Sequence, residues 1–177
     1  MKELGSSAPD FRLPEPATGK ILELGDFAGF DGLLVMFICN HCPFVKHVRD
    51  ELARLGRDFQ NSKIGIVAIN SNDATNYPED SPDQMVTEVS SAGYVFPYLF
   101  DEAQHVARAF DAACTPDFFL YDRDRKLVYR GQLDDSRPGN GLPVTGRDLR
   151  NAMNLLINKK PISIDQRPSL GCNIKWR

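Results

Sequence analysis

Residues 33–45 constrain this chain more than any other stretch. Leu33 to Ile38 is an unbroken apolar run, Cys39-Asn40-His41-Cys42 follows at once, and Pro43-Phe44-Val45 opens a helical pattern. A short run rich in branched and aromatic residues predicts a strand buried on both faces, as in a parallel sheet. The two cysteines then fall where strand gives way to helix. Open α/β sheets place their chemistry in the crevice at the carboxyl ends of such strands.

Cys-x-x-Cys in an intracellular α/β chain reads first as a redox dithiol. The nucleophile in thiol–disulfide exchange is the thiolate. A helix N-terminus offers unpaired N–H groups and about half a positive charge, and both favour an anion. This reasoning expects Cys39, at the helix mouth, to have a depressed pKa and to attack, with Cys42 one turn later as the resolving thiol. Pro43 is tolerated because a first-turn residue has no intrahelical N–H bond to lose. His41, as imidazolium between the thiols, would lower the thiolate pKa further. Rival readings are an inert buried pair, half of a zinc site, or a structural disulfide. Zinc usually takes four ligands in two spaced pairs, whereas Cys114 and Cys172 stand alone. The expectation is no metal and no cofactor beyond a Cys39–Cys42 redox disulfide.

The chain has 177 residues, 42% hydrophobic and 25% charged, with net charge -3. That composition suits one domain spanning 1–177, without the basic footprint of a nucleic-acid binder. Lys2, Glu3 and Asp10 leave no apolar core for a signal peptide near the start. No run approaches the ~18 apolar residues of a membrane span. The expected setting is therefore cytoplasmic and reducing.

Residues 8–24 alternate apolar and polar around a turn at Thr18-Gly19-Lys20, which predicts a two-strand ribbon. Val45, Val48, Leu52, Leu55 and Phe59 give an amphipathic helix to about Gln60. Lys46 and Arg49 then fall on its face near Cys42, either adding positive potential or simply solvated. Ile64 to Asn70 is the next strand, with Ser71-Asn72-Asp73 bordering the crevice. Ser81, Pro82 and Gln84 start a helix that stops at Gly93. Tyr94 to Phe100 reads as a strand, and Asp101 as the cap of a helix bearing a surface His105.

Pro116 precedes the strand Asp117 to Tyr121, and the charged turn 123–126 leads into a return strand, Leu127 to Leu133. Residues 134–146 read as a loop, with Asp134 and Asp135 solvated. Thr145 and Asp148 form a capping box for a last helix carrying Leu149, Ala152, Met153, Leu156 and Ile157. Residues 161–177 show no periodicity. With Ile162, Ile164, Leu170, Ile174 and Trp176 the tail is too apolar to be merely disordered, so it should pack on the domain and carry Cys172 with it.

This order of elements, with a Thr-Pro before a strand hairpin, resembles the thioredoxin fold: α/β, a central mixed sheet flanked by helices. The wording around Cys39-Asn40-His41-Cys42-Pro43, Cys114-Thr115-Pro116 and Gly171-Cys172 is similar to the redoxin (AhpC/TSA-like) branch, and to its peroxiredoxin-like group. The resemblance implies that Pro116 is a cis-proline facing the dithiol and that Thr115 offers backbone to an extended substrate. It implies that Cys39 is the exposed nucleophile and that Cys114 lies near the dithiol. Ile38 replaces the tryptophan of thioredoxin, and Leu33 stands near the place of its buried acid. Val35 and Cys39 occupy the positions where a peroxiredoxin aligned on Cys42 keeps Pro and Thr. The implied activity is thiol–disulfide exchange on a protein or small-molecule disulfide, with an upstream thiol reductant. The alternatives are a thiol peroxidase resolved by Cys114 or Cys172, and a Cu(I) or zinc carrier using Cys39, Cys42 and His41.

Overall fold

The computed structural model describes residues 2–177. The strand β3 (Gly32–Phe37) is buried along its whole length. Its side chains alternate between two cores, as the two-residue period of a strand requires. Leu34 and Met36, with Ile38 just beyond, face one core; Leu33, Val35 and Phe37 face the other.

Five strands form the sheet in the order β5-β4-β3-β7-β8. β4 (Ile64–Asn70) and β5 (Tyr98–Phe100) run parallel to β3, β7 (Asp117–Tyr121) runs antiparallel to it, and β8 (Leu127–Gly131) runs antiparallel to β7. The first core is roofed by α1 (Pro43–Phe59), α2 (Pro82–Ala92) and α4 (Arg147–Ile157), which supply Val45, Leu52, Leu55, Met85, Leu149 and Met153. Arg150 on α4 bonds Glu51 on α1 at 2.5 Å and Asp58 at 2.8 Å, tying those two helices together. The second core takes Val106 and Phe110 from α3 (His105–Phe110). Phe110 packs edge-on to Phe119 with ring centroids 5.7 Å apart, a geometry worth about 0.5–1.5 kcal/mol beyond burial.

The N-terminal ribbon is β1 (Arg12–Pro14) paired antiparallel with β2 (Ile21–Glu23), and it presents Phe11 and Leu13 to the second core. The last ribbon joins β6 (Cys114–Thr115) to β9 (Cys172–Asn173) from the tail. Among the described residues no helix is long and apolar enough to cross a membrane.

Several local expectations change in tertiary context. The strand at 94–100 shortens to β5, because Tyr94 and Phe96 stack on each other and pack on the first core instead of pairing. The third helix begins at His105, not after Asp101. The buried Asp101 carboxylate bonds Ala107 N–H and Ser71 from a loop, and Gln104 adopts a left-handed conformation. Asp134 is not solvated: its carboxylate receives the Thr145, Gly146 and Ser136 N–H groups and so organises the 134–146 loop. Those bonds replace the Thr145–Asp148 capping box, and Gly146 caps α4 instead. β8 stops at Gly131 because the tail then runs beside it: Arg167 C=O accepts from Gln132 N–H, and a Cβ on Gly131 would meet that same oxygen.

Candidate functional site

The helix starts later than the sequence suggests, and this changes which sulfur meets its first N–H groups. α1 begins at Pro43 and Cys42 is its N-cap, while residues 38–42 are loop. Cys39 therefore lies three residues before the N-cap. The Val45 N–H favours the charged form of Cys42, not that of Cys39. The sequence reasoning placed the low pKa on an exposed Cys39. In the structure Cys39 is 1% exposed and Cys42 is fully buried.

The two thiols compete for one proton. Cys42 is pushed down to about 4, chiefly because the Cys39 thiol hydrogen-bonds to it, against the cost of burial and with help from Cys172. Cys39 is raised well above the ordinary thiol range by that same proton, by burial and by the Asp80 carboxylate. The depressed thiol pKa expected at Cys39 falls on Cys42.

β6 and the residue after it close the other side. The Thr115–Pro116 bond is cis. Cys39 Sγ lies 3.4 Å from Thr115 Oγ1, and Cys42 Sγ lies 3.3 Å from Thr115 C=O. Pro43 is exposed at the mouth of the helix. Cys114 precedes Thr115 but turns its sulfur to Pro116 C=O at 3.6 Å, and burial and Asp117 push it up to about 12. Cys172 comes in from β9, with its Sγ 2.6 Å from Cys42 Sγ. Burial, the hydrogen bond to Cys42 and the Cys42 charge push Cys172 up to about 11, so Cys172 keeps its proton.

His41 does not sit between the thiols as an isolated cation. Its Nδ1 is 2.5 Å from Asp80 Oδ2, and its ring stacks on Tyr77. Asp80 is fully buried and also accepts from Asn40 N–H, Asn70 and Asn72. It arrives from the short turn Pro78–Asp80, and the sequence reasoning missed it. A turn residue so far along the chain carries no local signal. Ser71-Asn72-Asp73 does border the crevice, through Asn72 on Asp80 and Asp73 N–H on Lys175 C=O. Arg49 turns away to pair with Glu88, and Lys46 is exposed.

Cys39, His41 and Asp80 bring possible ligand atoms within 4.8 Å of one another. This set differs from the Cys39, Cys42 and His41 expected for a metal carrier. Both Asp80 oxygens already accept hydrogen bonds, so the set fits an ion poorly: coordination would break the network that holds the loop.

The AhpC/TSA family profile matches residues 4–130. No curated protein matches the chain. The crystal structure of a hypothetical protein from Sinorhizobium meliloti 1021 is 51% identical with a TM-score of 0.98, covering 100% of this chain and 96% of that one. An uncharacterized conserved protein from Geobacillus kaustophilus is 54% identical with a TM-score of 0.97, covering 100% and 94%. The thioredoxin domain of a thiol-disulfide oxidoreductase from Bacteroides vulgatus shares the fold at 18% identity, with a TM-score of 0.69 and coverage of 89% and 100%.

Proposed function

Starting from a chain that belongs to the AhpC/TSA family and has a thioredoxin-like fold, we propose that it is a thiol–disulfide oxidoreductase working through Cys39 and Cys42. Its substrate is a disulfide in a protein or small molecule, and an upstream thiol restores the dithiol. In a reducing cytoplasm the net direction is reduction. The observation that carries this reading is a Cys-x-x-Cys pair at a helix N-terminus, with both sulfurs in contact with Thr115 beside the cis Thr115–Pro116 bond.

The exchange runs as follows. Cys42 thiolate attacks one sulfur of the substrate disulfide, the substrate S–S bond breaks, and the departing thiolate takes a proton. Cys39, once deprotonated, attacks Cys42 Sγ and releases the second substrate thiol. The enzyme is left with a Cys39–Cys42 disulfide, and two electrons have passed to substrate. Thr115 lines both steps, because its hydroxyl touches Cys39 and its carbonyl touches Cys42. Asp80 opposes early ionisation of Cys39.

The test is a redox titration of the purified protein in glutathione buffers, with the disulfides mapped by mass spectrometry. A Cys39–Cys42 bond titrating as one two-electron couple is the expected result. Failure of Cys42 to form any disulfide or glutathione adduct would overturn the reading. Hydroperoxide consumption faster than that of free cysteine, without glutathione turnover, would move the assignment to the peroxidase alternative.

A further inference from the structure

The tail brings a third sulfur to the dithiol by a built route. β9 pairs with β6 so that Cys172 lies opposite Thr115 and Asn173 opposite Cys114. Directly opposed residues in an antiparallel pair project to the same side. Cys172 therefore shares the side of Thr115, where Cys39 and Cys42 make their contacts. The approach is close enough that a Cβ on Gly171 would collide with Thr115 C=O, so only glycine fits there.

Beyond Cys172 the tail is pinned to the carboxyl end of the sheet. Ile174 is 1% exposed and belongs to the second core, whereas Cys172 packs against the first. Lys175 N–H bonds Asn72, and Lys175 C=O accepts from Asp73 N–H and Gln104. Arg108 lies over the Trp176 ring at 4.3 Å. With the tail in place Cys39 and Cys42 are sealed, and Cys172 is the one member of the trio with solvent access.

We propose that Cys172 is a second resolving thiol, and that β9 leaves β6 to admit a disulfide and returns to complete the exchange. This rests on Cys42 being the sulfur that attacks substrate, as proposed above. After that attack, Cys42 is joined to one substrate sulfur. Cys172, deprotonated as the tail re-docks, attacks Cys42 Sγ. The Cys42–substrate bond breaks, a Cys42–Cys172 bond forms, and the substrate thiolate leaves with the proton that Cys172 gave up. The two electrons come from Cys42 and Cys172, and no outside oxidant is needed. Cys39 then exchanges with the new bond, giving Cys39–Cys42 and freeing Cys172. A tethered thiol reaches effective concentrations far above those of free thiols. Its return also refills the β6 edge and expels the product.

The probe is oxidised glutathione with Cys39→Ser and Cys39→Ser/Cys172→Ser proteins, read by intact mass and peptide mapping. In Cys39→Ser the expected product is an internal Cys42–Cys172 disulfide with the mass of two hydrogens lost. The double variant should hold a glutathione adduct on Cys42, surviving at least about tenfold longer than in the single variant. A stable adduct on Cys42 of Cys39→Ser, or a bond from Cys42 to Cys114, would overturn the role of Cys172 and leave the proposed function standing. Absence of any reaction at Cys42 in all forms would overturn both. The wild-type protein gives an independent check, because limiting oxidised glutathione should yield Cys42–Cys172 alongside Cys39–Cys42. If only the latter ever forms, Cys172 does not resolve.

Discussion

Two short antiparallel ribbons are attached to this sheet, and they are held by different means. β1 and β2 are neighbours in sequence, joined by a turn in which Gly19 N–H and Thr18 N–H bond Glu15 C=O and Gly19 has φ 74°. The ribbon carries its own turn and fills the second core with Leu13. β6 and β9 come from distant parts of the chain and share two residue pairs. Tail anchors on either side, among them Ile174, the Lys175 bonds and the Gln132 N–H to Arg167 C=O bond, hold them together. Closing a long loop costs entropy that two ladder pairs barely offset, so this ribbon belongs to the low-stability end of local opening. The ribbon proposed to open is the one lying on the thiols.

Removing the attacking sulfur tests the active side of this contrast most severely. Cys42→Ser should slow reduction of oxidised glutathione by roughly three orders of magnitude or more, as loss of a nucleophile does. Activity within tenfold of wild type, an order-of-magnitude threshold for nucleophile loss, would move the chemistry elsewhere. Next come paired truncations. Ile174→Ala removes a buried anchor worth about 2–5 kcal/mol and should raise iodoacetamide labelling of Cys42 at least about tenfold. Leu13→Ala should cost about as much and lower the melting temperature, by roughly 2–4 °C per kcal/mol at this size, without changing that labelling. Equal labelling in the two variants would erase the distinction between the ribbons.

The thiol pKa directions make a smaller, pH-dependent difference. Cys42 is lowered to about 4 in the folded chain, against about 8.5 when unfolded. Its contribution to stability is therefore complete above about 8.5 and lost as pH falls toward 4. Cys172 and Cys114 are raised to about 11 and about 12, so theirs is complete below about 8.5 and lost as pH rises toward those values. Urea midpoints of the reduced protein should rise between pH 5 and 8, and this rise should disappear in Cys42→Ser. A rise that persists would mean that Cys42 is not the thiolate. The smallest expected effect is that of Asp80→Asn, which removes the carboxylate opposing the Cys39 charge. Labelling of Cys39 in a tail-opened background should then move to lower pH, and an unchanged profile would show that burial and Cys42 alone set it.

Much of the frame was legible in the chain. β3, α1 and the N-terminal ribbon follow from apolar period, a proline at a helix start and a glycine turn, all of them local signals. Tyr94, Asp101 and Asp134 misled because their side chains answer to packing and bonds that no local pattern announces: the Phe96 ring on the first core, Ser71 with Ala107 N–H, and the N–H groups before α4. Asp80 was invisible for the same reason, since nothing near it in sequence announces a histidine partner. That Cys42, not Cys39, caps α1 came from a boundary shift of a few residues, which is the least secure part of any helix reading.

By itself the sequence determined that a buried strand would deliver a Cys-x-x-Cys to a helix N-terminus, with a Thr-Pro strand start and an apolar tail carrying one more cysteine. Hydrophobic period and backbone restrictions act over a few residues and need no long-range partner. Only the tertiary structure decided that Cys42 caps the helix, that His41 answers to Asp80, and that Cys172 comes within 2.6 Å of Cys42. Proton affinity and sulfur proximity depend on burial and on charges brought together across the fold, and those are properties of the packed molecule.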